Sequence, residues 1–288
     1  MQKELALNLF AEFVASTRRP LEEALHKSLP VSSAPGTDRF NESLSYAVFP
    51  GGKRLRPYVT LIASAIGGAS QPQSMTLACA IEFLHTSSII LDDLPGMDNA
   101  ETRRNRPALH LLFGEGLAIL VAVTLLNQSF ALFARASSDG GDGKVETLIR
   151  EAANSIGSNG MIAGQVVDLE LRGLPINDGH LATRELKTTS LMRLMMTSGA
   201  LISGAPEPDI IALGTFGECL GRGFQIFDDL TDVNDDAHVK ELDVEATSRR
   251  AIELIGHGKS VLFEAFGDTP EFRLLEEAAD YIVRGFKL

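Results

Sequence analysis

The chain has no tryptophan, only two cysteines, and fewer basic residues (26) than acidic ones (38). Each shortage narrows the field. Cys79 and Cys219 lie far apart in apolar helical patterns, which suits reduced, buried thiols rather than a disulfide or a thiolate metal site. Long apolar runs are also missing. The cleanest, LAILVAVTLL from Leu117 to Leu126, is too short to cross a hydrocarbon layer of about 30 Å, so it is predicted to be a buried core helix and no membrane span is expected. The net charge of −12 argues against a general nucleic-acid binder, which needs a basic surface to displace counterions from phosphates. Anionic small molecules stay within reach where metals or local basic residues hold them. The N-terminal MQKELALNLFAEFVASTRRP has helical spacing and lacks the apolar core and cleavage site of a secretory signal, so a cytoplasmic location is expected.

What is present is helix. Apolar residues recur with a 3.6-residue period over Met75 to Leu91, Gly116 to Ala136, Val145 to Leu171, Leu181 to Ser203 and Ile210 to Leu230, and few stretches alternate as strands do. Gly, Pro, Ser and Asp clusters mark short loops at Pro30 to Thr37, Gly67 to Pro72, Ser137 to Gly143, Gly173 to Gly179 and Gly204 to Pro208. None is long enough to link domains. The pattern predicts one all-α domain over residues 1–288, with ten or so helices, no low-complexity segment and no solenoid repeat.

Two apolar helices end in aspartates. The first gives IILDDLPGMDN, with Asp92, Asp93 and Asp98; the second, about 135 residues later, gives FQIFDDLTD, with Asp228, Asp229 and Asp232. In the second cluster the i, i+1, i+4 spacing sets Asp228 and Asp232 on one helix face with Asp229 at its edge. In the first, Pro95 and Gly96 break the helix, so that Asp98 can fold back towards Asp92 and Asp93. Six carboxylates facing one cavity repel unless cations fill it, and all-oxygen ligands of this kind suit Mg²⁺, which keeps waters and bridges to substrate phosphate. Acidic residues at helix C-termini also oppose the macrodipole and need compensation.

Basic residues accompany the acidic ones. GGKRLRP places Lys53, Arg54 and Arg56 at a Gly-Gly loop entering a helix, and Arg103, Arg104 and Arg106 follow the first acidic cluster, which makes a second phosphate site plausible. His85 and Ser88 share a helix face with Asp92, which points His85 towards the site. GHGKS at Gly256 to Ser260 is a turn rather than a phosphate-binding loop, because Glu253 stands where the leading glycine belongs.

In their order and spacing, GGKRLRP, LDDLPGMDN with its RRNRP tail, AGQVVDLE, LKTTSLM and FQIFDDLTD resemble the trans-isoprenyl diphosphate synthases, or polyprenyl synthetases, from about Phe40 to Asp232. The resemblance implies antiparallel helices around a deep central cavity, a homodimer, and condensation of isopentenyl diphosphate with an allylic diphosphate (dimethylallyl, geranyl or farnesyl). It implies that Asp92, Asp98 and Asp228 ligate Mg²⁺, three ions in all, with Asp93, Asp229 and Asp232 ligating or supporting them. Arg103 and Lys187 resemble holders of the allylic diphosphate. Lys53, Arg56, His85 and Arg104 resemble the pocket for the diphosphate of isopentenyl diphosphate, and Gln165, Asp168, Thr188 and Gln225 resemble polar residues lining the site.

Chain length is expected to depend on Ser87 and Ser88, one turn before Asp92, where members stopping at fifteen carbons carry an aromatic residue. Small serines there imply geranylgeranyl diphosphate, with farnesyl or geranylfarnesyl diphosphate as alternatives and Met75, Leu84 or Phe130 as a deeper floor. The family's Gly-Lys-Asp loop does not follow the second motif, where DVNDDAHVKELDVEATSRR runs almost directly into a helix, and Lys240 inherits no role. That departure keeps open a non-catalytic subunit of a heteromeric synthase. A terpene cyclase is disfavoured by FQIFDDLTD, and a glycosidase needs two placed acids rather than two metal clusters with arginines.

Overall fold

The computed structural model describes residues 8–137, 142–172, 174, 178–231 and 244–284. Among these, twelve helices follow in order: α1 Asn8–Ser28, α2 Asp38–Val48, α3 Leu55–Ile66, α4 Gln71–Asp92, α5 Leu109–Phe113, α6 Glu115–Ser137, α7 Asp142–Ile156, α8 Met161–Glu170, α9 Asp178–Ser203, α10 Glu207–Thr231, α11 Val244–Phe266 and α12 Pro270–Arg284. The only strands are β1 Thr102–Arg103 and β2 Arg106–Pro107, an antiparallel pair between α4 and α5 among the described residues. The all-α prediction therefore holds. Asp229's side chain, Asp232 and Lys240 lie outside what is described.

α4 begins with a capping box, the Ser70 backbone N–H donating to the Gln73 side chain at 3.0 Å, and Pro72 sits in its first turn where no intrahelical donor is needed. It packs against α3 and α6 and buries Leu77, Ile81, Phe83 and Leu84. α9 lies against α8, α10, α3 and α7, so α4 and α9 flank the cavity described below.

The expected helix from Val145 to Leu171 is instead two, α7 and α8, separated by Gly157 to Gly160. At Gly160 a Cβ would stand 2.1 Å from the Ser155 carbonyl oxygen, so the chain turns where no side chain fits. The second close approach positions the site. A Cβ at Gly164 would lie 2.2 Å from the backbone nitrogen of Lys187, so only glycine lets α8 press onto α9.

Leu117 to Leu126 is only half a core helix. Ala118, Val121, Ala122 and Leu125 are buried, whereas Ile119, Leu120 and Val123 are exposed, next to exposed Leu111 and Leu112. By length and composition alone α4 and α6, with mean hydropathies of 1.4 and 2.0, are apolar enough to cross a bilayer, a property that counting uninterrupted runs does not register. In α4 that surface is mostly buried in the fold, while α6 keeps an apolar face outside. Cys79 and Cys219 are free and buried, and burial pushes the Cys79 thiol up to about 12, which suits inert packing.

Substituting Gly164 by alanine should force α8 off α9 and lower stability by about 1–3 kcal/mol, as overpacking does. Urea unfolding would measure this, and a midpoint equal to that of the parent protein would disprove the close-packing role.

Candidate active site

The first acidic cluster is shaped by the end of α4. Asp93 caps the helix, and the chain then turns back on itself: the Asp98 N–H donates to the Asp92 carbonyl at 2.9 Å and the Ala100 N–H to the Asp93 carbonyl at 3.2 Å. Asp98 thus returns towards Asp92, as its spacing around Pro95 and Gly96 predicts. The next residues form a two-residue hairpin whose central positions, Arg104 and Asn105, both have positive φ (53° and 58°), the geometry of a type I′ turn.

That turn sorts the three arginines. Arg103 reaches back to Asp93, its Nε and Nη2 donating to Oδ1 at 3.0 and 2.5 Å. Arg104 crosses to the other side, its Nη2 3.8 Å from Oε1 of Glu82 and its Nε 3.1 Å from where a Cβ on Gly52 would be. Arg106 lies 3.7 Å over the Tyr46 ring and donates to the Phe49 carbonyl at 3.0 Å, so it supports the loop.

Every carboxylate on the first side has a cation. Lys187 Nζ stands 3.2 Å from Asp168 and 3.7 Å from Asp92, Arg184 Nε donates to Asp168 at 2.9 Å, and Arg172 Nη2 donates to Asp98 at 2.7 Å. Asp92 remains the least satisfied. Burial, with the nearby Asp98 and Asp93 charges added and Lys187 and Arg103 opposing, pushes its carboxyl up to about 6. Among the described residues, no three His, Cys, Asp or Glu side chains converge as a ready metal cage.

On the other side His85 accepts a hydrogen bond at Nε2 from Arg56 Nη1 at 3.0 Å, since arginine has no acceptor. Burial first, and then Arg56, Arg104 and the neighbouring arginines, hold the imidazole well below its ordinary range, so it is neutral. Arg56 is itself brought down to about 10 by burial, with Glu82 and Asp228 opposing and Arg104 reinforcing the shift. The reach of the Asp228 charge to Arg56 links the second acidic motif with this pocket. Gln225, one turn before Asp228 on α10, accepts from the Thr188 hydroxyl at 2.7 Å and ties α9 to α10. Lys53 goes elsewhere: it is exposed, its ammonium 5.7 Å from the centre of the Tyr281 ring on α12.

Between these groups opens a cavity of about 320 Å³, within the range of small-molecule pockets. Asp92, Lys187, Thr188, Gln165, Arg56 and His85 supply its polar lining; Leu84, Leu126, Ile156, Val166, Leu169 and Leu191 are among its apolar residues. Ser88 lines it with its hydroxyl turned onto the His85 carbonyl at 2.9 Å. Ser87 is buried and donates to the Ala122 carbonyl on α6 at 2.9 Å, so it contributes more to the α4–α6 seam than to open wall. Of the deeper candidates, Leu84 faces the cavity, whereas Met75 and Phe130 are not among its lining residues.

Sequence reasoning missed Glu22, Glu82, Arg172 and Arg184. A signal existed for two of them. Glu82 is a lone acid in the apolar run LACAIEFLHTSSIIL, which demands a buried partner, and Arg184 precedes Lys187 by one turn. Arg172 has no such marker.

Residues 37–244 match the model of the polyprenyl synthetase family. The chain is 32% identical over 280 residues to the chloroplastic heterodimeric geranylgeranyl pyrophosphate synthase large subunit 1 of Arabidopsis thaliana, covering 95% of this chain and 74% of that protein. It is 36% identical over 228 residues to the farnesyl diphosphate synthase of Bacillus subtilis, covering 78% and 76%. Of some other plant relatives the chain spans about three fifths of the length. A solved apo structure of an FPP/GFPP synthase from Zymomonas mobilis superimposes with a TM-score of 0.87 at 28% identity, over 96% of this chain and 99% of that one.

The Asp92 carboxyl titrates near 6 in the fold against 3.8 in an exposed chain, so the native state binds the extra proton and loses stability as pH rises from about 4 to 6. Asp92→Asn should therefore be more stable than the parent at pH 7.5 in chelator, by on the order of 1–3 kcal/mol. The advantage should shrink as pH falls through 6. Calorimetry would check this, and a variant less stable at pH 7.5 would contradict the desolvation of Asp92.

Proposed function

We propose that this chain, which belongs to the polyprenyl synthetase family and is a short-chain trans-prenyl diphosphate synthase, condenses isopentenyl diphosphate with an allylic diphosphate to give geranylgeranyl diphosphate with the help of Mg²⁺. The observation that carries this reading is the division of charge around one apolar cavity, lined by Asp92 and Lys187 on one side and by Arg56 and neutral His85 on the other, with Arg103 held on Asp93 behind the first pair and Arg104 near Glu82 behind the second.

The donor chemistry fits Mg²⁺. Asp92 and Asp98 offer hard oxygen atoms, and the cations now on them, Lys187 and Arg172, mark where positive charge is wanted. Asp92, Asp98 and Asp228 would hold the metal, with Asp93, Asp229 and Asp232 in support. When bound, the metal supplies Lewis-acid stabilisation of a departing diphosphate. Lys187 and Arg103 would bind and orient the allylic diphosphate. Arg56 and Arg104 would grip the other diphosphate as guanidinium forks, and His85 keeps Arg56 in place by accepting from it.

Loss of diphosphate leaves an allylic cation, the double bond of isopentenyl diphosphate attacks it to form the new carbon–carbon bond, and a proton is lost to the released diphosphate. The apolar lining excludes water that would quench the cation. No nucleophilic side chain is needed.

Product length is read from Ser88, a small residue on the cavity wall one turn before Asp92, with Leu84 next below. Incubation with Mg²⁺, isopentenyl diphosphate and farnesyl diphosphate, then mass spectrometry after dephosphorylation, should yield a twenty-carbon alcohol. Longer alcohols would move the floor deeper, and no product from any allylic starter would favour a non-catalytic subunit. Ser88→Phe should shorten the main product to fifteen carbons, and an unchanged product would remove Ser88 from the wall.

The exposed apolar face of α6, with Ile119, Leu120 and Val123, supports assembly with a second copy. Light scattering should give twice the 31.0 kDa chain mass, and Leu120→Glu should return it towards monomer. A parent protein that is monomeric at micromolar concentration would overturn the dimer.

A further inference from the structure

A buried anion stands inside the basic pocket, and the proposed reaction does not use it. Glu82 lies on α4 one turn before His85 and is 2% exposed. Arg54 donates to it through Nη1 in a short contact, and the rest of that guanidinium is occupied by Glu22 at 2.9 and 3.2 Å and by the Val48 carbonyl at 2.8 Å. Gly51 makes room for this strut, since a Cβ there would stand 1.9 Å from the Arg54 Cζ. Burial draws the Arg54 proton affinity down, and the two glutamates more than restore it.

The other two arginines relate to Glu82 differently. Arg104 Nη2 is 3.8 Å from the same Oε1 atom, near enough for attraction and too far for a hydrogen bond. Arg56 is bonded to His85, and its buried Nε has no hydrogen-bond partner among the described residues. Both guanidiniums feel the Glu82 charge while keeping donors uncommitted. A neutral surface would let these like charges push one another apart; a direct bidentate partner would consume the donors that an incoming anion needs.

We propose that Glu82 is a positioning residue for the isopentenyl diphosphate pocket, a buried counterion anchored by Arg54 that holds Arg104 and Arg56 in register without taking up their diphosphate-binding donors. The assignment rests on the reading of Arg56 and Arg104 as that pocket. It extends the pocket backwards through Arg54 to Glu22 on α1, so that the N-terminal helix braces the site.

Glu82→Gln keeps the shape and removes the charge. Steady-state kinetics varying each substrate in turn should give a KM for isopentenyl diphosphate raised about tenfold or more, with that for farnesyl diphosphate within about twofold. Glu82→Asp, which restores the charge one methylene short, should recover part of the loss. A purely structural role would move both KM values together or neither. A folded E82Q with an unchanged isopentenyl diphosphate KM overturns the proposal, as does an equal rise for both substrates.

Should E82Q not fold, the pair Arg54→Met with Glu82→Met replaces the buried ion pair by apolar groups of similar size, a change folds often accept, and is read in the same way. If neither folds, Glu82 serves the fold alone and the proposal falls. Arg104→Ala separates the two levels. If it leaves the isopentenyl diphosphate KM unchanged, the pocket itself is misread; if it raises that KM and E82Q does not, only the role of Glu82 is lost.

Discussion

Charge compensation beside an apolar cavity is the constraint on which the rest of the structure depends. Asp92 and Lys187 line it and pair with their neighbours Asp93, Asp98, Asp168, Arg103, Arg172 and Arg184, and each of these aspartates has a cation within 3.7 Å. A carboxylate left alone in such surroundings would not stay ionised at neutral pH. Backbone features that seem unrelated serve this pairing. Gly164 brings α8 onto α9 so that Asp168 meets Lys187 and Arg184, and the turn after Pro95 returns Asp98 to the same neighbourhood.

The same constraint separates the two halves of the site. Arg103 ends β1 and Arg104 opens the type I′ turn, and that turn sends them different ways: Arg103 to the carboxylates, Arg104 to the Gly51–Gly52 loop. Were both on one side, Asp93 would be overcompensated and the far pocket would lose a cation. A positive φ at a residue as large as Arg104 is uncommon, and the geometric demand for that sorting gives it a physical reason. His85 completes the division by being neutral: as an acceptor it fixes Arg56 without adding another positive charge to three arginines.

Much of this was legible in the sequence, because its signals are local. Helical periodicity marks α4, α6, α9 and α10; the Pro-Gly after Asp93 marks the returning turn; and i, i+3, i+7 spacing marks His85, Ser88 and Asp92 as one face. What sequence did not yield depends on contacts between elements. The break between α7 and α8 reflects a glycine pressed against a carbonyl, which periodicity averages away. Arg172 looks like any solvent-exposed arginine until α8 is laid beside the acidic turn. Lys53, grouped with Arg54 and Arg56 by adjacency, diverges from them because Arg54 adopts a left-handed backbone at the helix entrance. The outer face of α6 shows the reverse limit, since an apolar run says that surface will be covered, not by what.

Pairing also bears on how anionic ligands could enter a site already crowded with charge. Lys187, Arg103 and Arg172 are each held by carboxylates, so a diphosphate bound there would exchange partners with them rather than meet bare charge. Desolvation of the protein groups has largely been met during folding, and it is least compensated at Asp92, whose nearest cation among the described residues stands at 3.7 Å and is shared with Asp168. A cation placed at Asp92 therefore relieves an existing strain, whereas one placed at Asp93 must compete with two donors from Arg103. The two neighbouring aspartates are thereby unequal: Asp92 is poised to accept positive charge, and Asp93 is committed to holding Arg103.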